Sequence, residues 1–108
     1  MSTGFDPSSS VDIAQESGKL ILRLHGELDF STRDVMETAI LAAIPTAYEV
    51  TLDLRDLTFC DSTGLAMFLA AKDAADANGT VLKLVNPQPI VARVFSVTGV
   101  GQVFGLTG

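Results

Sequence analysis

The reactive side chains of this chain gather in one stretch, Cys60-Asp61-Ser62-Thr63-Gly64. Five residues supply a thiol, a carboxylate, two hydroxyls and a glycine, and an alanine-rich segment follows directly. Nucleophilic catalysis is the first chemistry to weigh. The stretch is close to the G-x-S-x-G elbow on a strand-to-helix turn, except that Cys60 stands in place of the first glycine. A serine nucleophile also needs a base, and the single histidine, His25, lies inside an alternating apolar–polar run, where it reads as a sheet-face residue. Metal chemistry finds one His, one Cys and scattered carboxylates without ligand spacing. Cys60 has no second cysteine to resolve an oxidised form, so it reads as a small, semi-buried apolar residue. No catalytic residue and no metal ligand is expected.

Two readings of Ser62 are left. A hydroxyl at a helix start can close the helix as an N-cap, and on local chemistry alone a cap formed by Asp61, Ser62 or Thr63 is the simpler reading. The same position can carry a phosphate, because the first-turn N–H groups are unpaired and the dipole end is positive.

The elements that must position this stretch can be read from hydrophobic periodicity. Val11 and Ile13 mark a first strand, Glu16 to Lys19 a turn, and Leu20, Leu22 and Leu24 one face of a second, antiparallel strand. Gly26 to Asp29 leads out of it. Ser31-Thr32-Arg33-Asp34 is a capping-box-like start to a helix carrying Met36, Ala39, Ile40, Ala43 and Ile44, which Pro45 ends. Val50, Leu52 and Leu54 make a third strand. The Asp61–Gly64 region then opens a second helix with Leu65, Phe68, Leu69 and Lys72 on neighbouring turns, and Asn78-Gly79 closes it. Val81 to Val85 is a fourth strand. A third helix bears Ile90, Val91, Val94 and Val97 and stops at Gly99, and Val103-Phe104 is a candidate final strand.

The expected fold is therefore α/β, a small mixed sheet of four to five strands in the order β-β-α-β-α-β-α, with an optional last β. Because Arg23, His25, Asp53 and Arg55 occupy the second face of their strands, helices are expected mainly on one face. Residues 1–10 read as a flexible lead and residues 11–108 as a single domain.

Composition excludes several function classes. A net charge of −6, with seven scattered Lys and Arg, opposes binding to nucleic acid or to an anionic membrane. No apolar run approaches the roughly 18 residues of a membrane span, and no signal-peptide pattern opens the chain. One cysteine suits a reducing compartment, so a cytoplasmic location is expected.

Three separated motifs then converge. Leu24-His25-Gly26-Glu27-Leu28-Asp29 with Thr32, Leu57 to Leu65 around Asp61-Ser62-Thr63-Gly64, and Asn86-Pro87 followed by Phe95 to Val100 resemble the STAS family, specifically its anti-sigma-factor antagonists. The likeness runs from about residue 11 to 105.

The resemblance implies a bacterial partner-switching regulator that is not itself an enzyme. It implies an anti-sigma factor that is also a serine kinase as partner, and a serine phosphatase that resets the switch. Ser62 is the implied phosphorylation site, with Thr63 as second choice. Asp29, Ser31, Thr32, Arg33, Phe59, Asp61, Thr63, Gly64 and Met67 are the implied docking residues. No cofactor is implied beyond the ATP used by the kinase, apart from conceivable weak nucleotide binding. A monomer or weak dimer is expected, since the open sheet face leaves room for self-association. The alternative is a STAS module of another assembly, a stress-signalling complex or a lipid-transport subunit.

Overall fold

The computed structural model describes residues 9–105. A two-residue turn starts the sheet. Ser17 and Gly18 both take positive φ, 51° and 80°, the primed hairpin geometry that matches strand twist. The turn joins β1 (Ser10–Glu16) to β2 (Lys19–Leu28) in antiparallel register, Glu16 opposite Lys19 and Ser10 opposite His25. Then follow α1 (Arg33–Ala43), a 3-10 turn (Ile44–Thr46), β3 (Glu49–Asp53), β4 (Leu57–Cys60), α2 (Ser62–Asn78), β5 (Val81–Val85), α3 (Pro89–Thr98) and α4 (Val100–Val103).

The result is a five-stranded mixed sheet, as expected, ordered β1-β2-β3-β5 with β4 also on β2. β3 runs parallel to the first half of β2 and ends where Asp53 meets Arg23; β4 then continues along β2, with Leu57 beside Gly26 and Cys60 beside Leu28. The core lies between one sheet face and the helices. Leu20, Leu22, Leu24, Val50, Leu52, Leu82 and Leu84 point into it, against Met36 and Ile40 of α1 and Phe68 of α2. Phe95 of α3 meets Phe68 edge to face, ring centroids 5.4 Å apart.

Three sequence expectations are corrected. The fifth strand is β4, not Val103-Phe104; Val100–Val103 is a helical turn after Gly99. β4 escapes a period-two reading because its burial runs buried-exposed-exposed-buried, where the pairing with β2 shifts register between Gly26 and Glu27. The inner face of α2 carries Gly64, Met67, Phe68, Ala71 and Ala75, so Leu69 and Lys72 lie off it. On α3, Val91 and Phe95 are buried while Ile90 and Val97 face outward.

The second sheet face is open and polar. Lys19 and Lys83 reach Glu49 at 4.0 and 3.2 Å. His25 sits between Asp12 (Nε2 to Oδ2, 2.8 Å) and Asp56 (Nδ1 to Oδ2, 3.4 Å). Asp53 is buried and ties three segments together. Its Oδ1 accepts from the Arg55 N–H (3.0 Å) and the Asn86 amide (3.2 Å), and Oδ2 lies 3.4 Å from Arg23 Nε, which makes no hydrogen bond among the described residues. Burial pushes this carboxyl up, but the two hydrogen bonds and the Arg23 and Arg55 charges outweigh it, leaving the pKa below the ordinary value. A depressed folded pKa contributes stability that is fully present above the unfolded value near 4 and is lost as pH falls through the folded one. Thermal melts from pH 7 to 2 are therefore expected to show a shallower acid limb in Asp53→Asn than in wild type. An unchanged limb would contradict this role.

Candidate functional site: the paired helix starts at the ends of β2 and β4

Parallel pairing brings the two expected motifs together. Leu28 ends β2 beside Cys60 at the end of β4, and the Asp61 N–H donates to Leu28 O at 3.3 Å. The chain therefore leaves both strands at one level, with Asp29 ahead of α1 and Asp61 ahead of α2.

Asp29 builds the first start. Its Oδ1 accepts from the Ser31 N–H (2.9 Å), the Ser31 hydroxyl (2.8 Å) and the Thr32 N–H (3.2 Å). The Thr32 hydroxyl donates to Glu27 O at 2.6 Å and accepts from the Asp29 N–H at 3.0 Å. The Ser31 hydroxyl, then the Ser31 and Thr32 N–H groups and the Thr32 hydroxyl, hold the Asp29 carboxyl below its usual range against some desolvation. The capping box expected from Ser31 is thus replaced by an Asx turn on Asp29: Thr32 is the residue before α1, and its side chain caps nothing. Arg33 turns along α1 to Glu37, Nε to Oε1 2.7 Å, which raises its pKa through that bond.

Asp61 builds the second start. Its backbone is extended and its Oδ1 accepts from the Gly64 N–H at 3.0 Å, so Asp61 is the N-cap of α2. Ser62 is the first helical residue, exposed, and among the described residues neither its hydroxyl nor the Ser62 and Thr63 N–H groups make a hydrogen bond. Of the three candidate caps, only Asp61 is used. Asp61→Ala is expected to cost about 1 kcal/mol in urea unfolding, while Asp61→Asn stays within a few tenths. Equal losses in the two would refute the capping role.

Burial sorts the implied docking residues. Ser31 and Phe59 are exposed, and Asp29, Arg33, Asp61 and Thr63 are half-buried. Thr32 is nearly covered, and its hydroxyl is engaged by the turn. Gly64 and Met67 are corrected from partner contacts to core. Met67 is 0% exposed, and a Cβ on Gly64 would lie 2.7 Å from Leu28 Cγ and 2.8 Å from Cys60 Sγ. Their spacing from Ser62 turns them onto the sheet side of α2. Cys60 is buried, and burial together with the Asp61 charge pushes its thiol up to about 12, so it stays protonated. His25 is occupied by Asp12 and Asp56 on the open face and makes no bond to Ser62.

One residue was missed. Phe30, next to Asp29, is 85% exposed at the tip of the Asx turn. A large apolar residue between Asp29 and Ser31, two turn formers, was the signal. Phe59, at the end of β4, and Val35, in the first turn of α1, are also exposed apolar residues close in sequence to the two helix starts.

Comparison with known proteins places the family and the fold. The family model described as "Mlab, STAS domain" matches residues 11–107. The anti-sigma F factor antagonist of Lysinibacillus sphaericus is 32% identical over 84 residues, 76% of this chain and 72% of that protein. The anti-sigma-B factor antagonist of Bacillus subtilis (strain 168) is 24% identical over 98 residues, 91% of this chain and 90% of that one. Among solved structures, an anti-sigma factor antagonist from Mycobacterium paratuberculosis superposes with a TM-score of 0.82 at 24% identity, covering 94% of this chain and 87% of that one. The anti-sigma factor antagonist SpoIIAA in its unphosphorylated form gives 0.75 at 24% identity, covering 92% and 89%. The likeness covers nearly the whole domain, including both helix starts, and the chain belongs to the STAS domain family.

Proposed function

We propose that this chain is an anti-sigma-factor antagonist that works by partner switching in the cytoplasm. Unphosphorylated, it binds an anti-sigma factor that is also its serine kinase and so releases a sigma factor. Phosphorylation at Ser62 ends productive capture, and a serine phosphatase restores it. ATP belongs to the kinase, and the chain performs no catalysis. The observation that carries this reading is the unspent, exposed Ser62 hydroxyl on the first turn of α2, beside a cap already made by Asp61. The names of the relatives support the partner class.

Local physics explains how such a switch can operate. A phosphate adds about −1.5 to −2 charge at neutral pH. On Ser62 it would meet unpaired N–H groups and the positive end of a 17-residue helix, so the fold tolerates it. Its effect falls on whatever docks over Phe30, Phe59 and Ser31, through bulk and charge. A loss of about 1.4 kcal/mol weakens binding tenfold, so no remodelling of the domain is required. The test is a pull-down from the source organism with Ser62→Ala as bait. Recovery of a kinase-fold anti-sigma factor is expected. Recovery of a transport ATPase or a stress-signalling assembly in its place would favour the alternative STAS role.

A further inference from the structure

The outer edge of β1 carries no partner among the described residues, and its pattern is self-complementary. In a two-residue hairpin the pair flanking the turn exchanges both hydrogen bonds, so Glu16, Ala14, Asp12 and Ser10 point their N–H and C=O groups inward to β2. Val11, Ile13 and Gln15 therefore turn theirs outward. β1 spans Ser10–Glu16 without proline, lysine or a register shift, and its two charges, Asp12 and Glu16, stand on the sheet face opposite Ile13. The other edge, β5, is only five residues long and carries Lys83. At the middle of β1, Ile13 is 58% exposed on the helix side of the sheet, opposite the fully buried Leu22.

We propose that β1 is the docking site for a second copy of this chain, the two strands pairing antiparallel about a two-fold axis through Ile13. In that register Ile13 faces Ile13 of the second copy, Val11 faces Gln15, Asp12 faces Ala14 and Ser10 faces Glu16. Moving the two-fold axis one residue either way, a two-residue slip between the strands, sets Asp12 opposite Asp12 or opposite Glu16 of the other copy, and like charges directly opposite destabilise a ladder. Only the register centred on Ile13 engages all three outward-facing residues of each strand and sets no like charges face to face. Asp12 is also drawn back to His25 at 2.8 Å. About six main-chain hydrogen bonds and an isoleucine pair result. So small an interface lies well below the roughly 1,200 Å² of a stable complex, so the dimer is weak and forms on the order of 0.1–1 mM. Antiparallel pairing sends the two Ser62 ends in opposite directions, leaving both open to their own partners.

The test combines sedimentation equilibrium with amide hydrogen exchange on the full chain, from about 0.01 to about 1 mM. Average mass is expected to rise toward the dimer. The Val11, Ile13 and Gln15 amides should gain protection with concentration, while Asp12 and Ala14, already paired to β2, change little. Ile13→Lys, at an exposed position, is expected to abolish both effects without shifting the melting temperature. A monomer throughout the range, association that persists in Ile13→Lys, or new protection on β5 in place of β1 would each overturn the proposal.

Discussion

Gly64→Val is expected to destabilise the protein by about 3 kcal/mol or more in urea unfolding. A Cβ at this position would lie 2.7 Å from Leu28 Cγ, 2.8 Å from Cys60 Sγ and 3.0 Å from Leu28 O. A side chain can rotate away, but Leu28 O is main chain, and it already accepts from the Asp61 N–H. Any side chain here pushes the first turn of α2 off β2 and β4. Gly64→Ala is expected to cost less, about 1–2 kcal/mol, because alanine's better helix propensity returns part of the overpacking penalty. The prediction separates a packing role from a docking role. A docking glycine would leave the urea midpoint unchanged and weaken only partner binding, and that outcome would contradict the assignment.

Ser62→Asp is expected to weaken capture of the anti-sigma factor by about 30-fold or more, equivalent to about 2 kcal/mol, while leaving stability within about 0.5 kcal/mol. The two effects come apart because Ser62 is exposed and bears no hydrogen bond among the described residues, whereas the neighbouring Asp61 carries the cap. An acidic group in the first turn of a helix is electrostatically favourable, so the variant should melt no lower than wild type. Phosphoserine should act more strongly than aspartate, having more charge and more bulk. Isothermal titration against the purified anti-sigma factor reads the affinity, and calorimetry the stability. Binding at wild-type strength, or weaker binding accompanied by a fall in melting temperature, would show that Ser62 does not act as a surface switch.

The sheet was legible wherever one face is buried and the other wet. Leu20, Leu22 and Leu24 on β2 and Val50 and Leu52 on β3 alternate cleanly because helices cover only one side. β4 was not legible, since its four residues follow a register shift and bury Leu57 and Cys60 three apart. The inner face of α2 was misread because its close packing is made by Gly64, Ala71 and Ala75, small residues that carry little periodic signal. For the same reason Met67 could not be told from a surface residue. At the site, the polar residues were legible and their division of labour was not. Asp61, Ser62 and Thr63 are equivalent caps on paper; the extended backbone of Asp61 and its bond to the Gly64 N–H decide among them. Asp29 likewise takes the role expected of Ser31, because its carboxylate reaches the N–H groups of residues two and three ahead. Phe30 carried a sequence signal, a large apolar residue between the turn formers Asp29 and Ser31, and its exposure gives that signal its meaning.

The central claim is that Ser62 is the reversible phosphate site of a docking surface. It is tested most directly by incubating the wild-type chain, Ser62→Ala and Thr63→Ala with the anti-sigma factor kinase and ATP, then mapping phosphate by mass spectrometry. Phosphate on Ser62 in wild type and Thr63→Ala, with at least a 100-fold loss in Ser62→Ala, is the predicted result, where 100-fold corresponds to about 2.7 kcal/mol. Equal phosphorylation of Ser62→Ala, or phosphate found on neither Ser62 nor Thr63, would contradict the account.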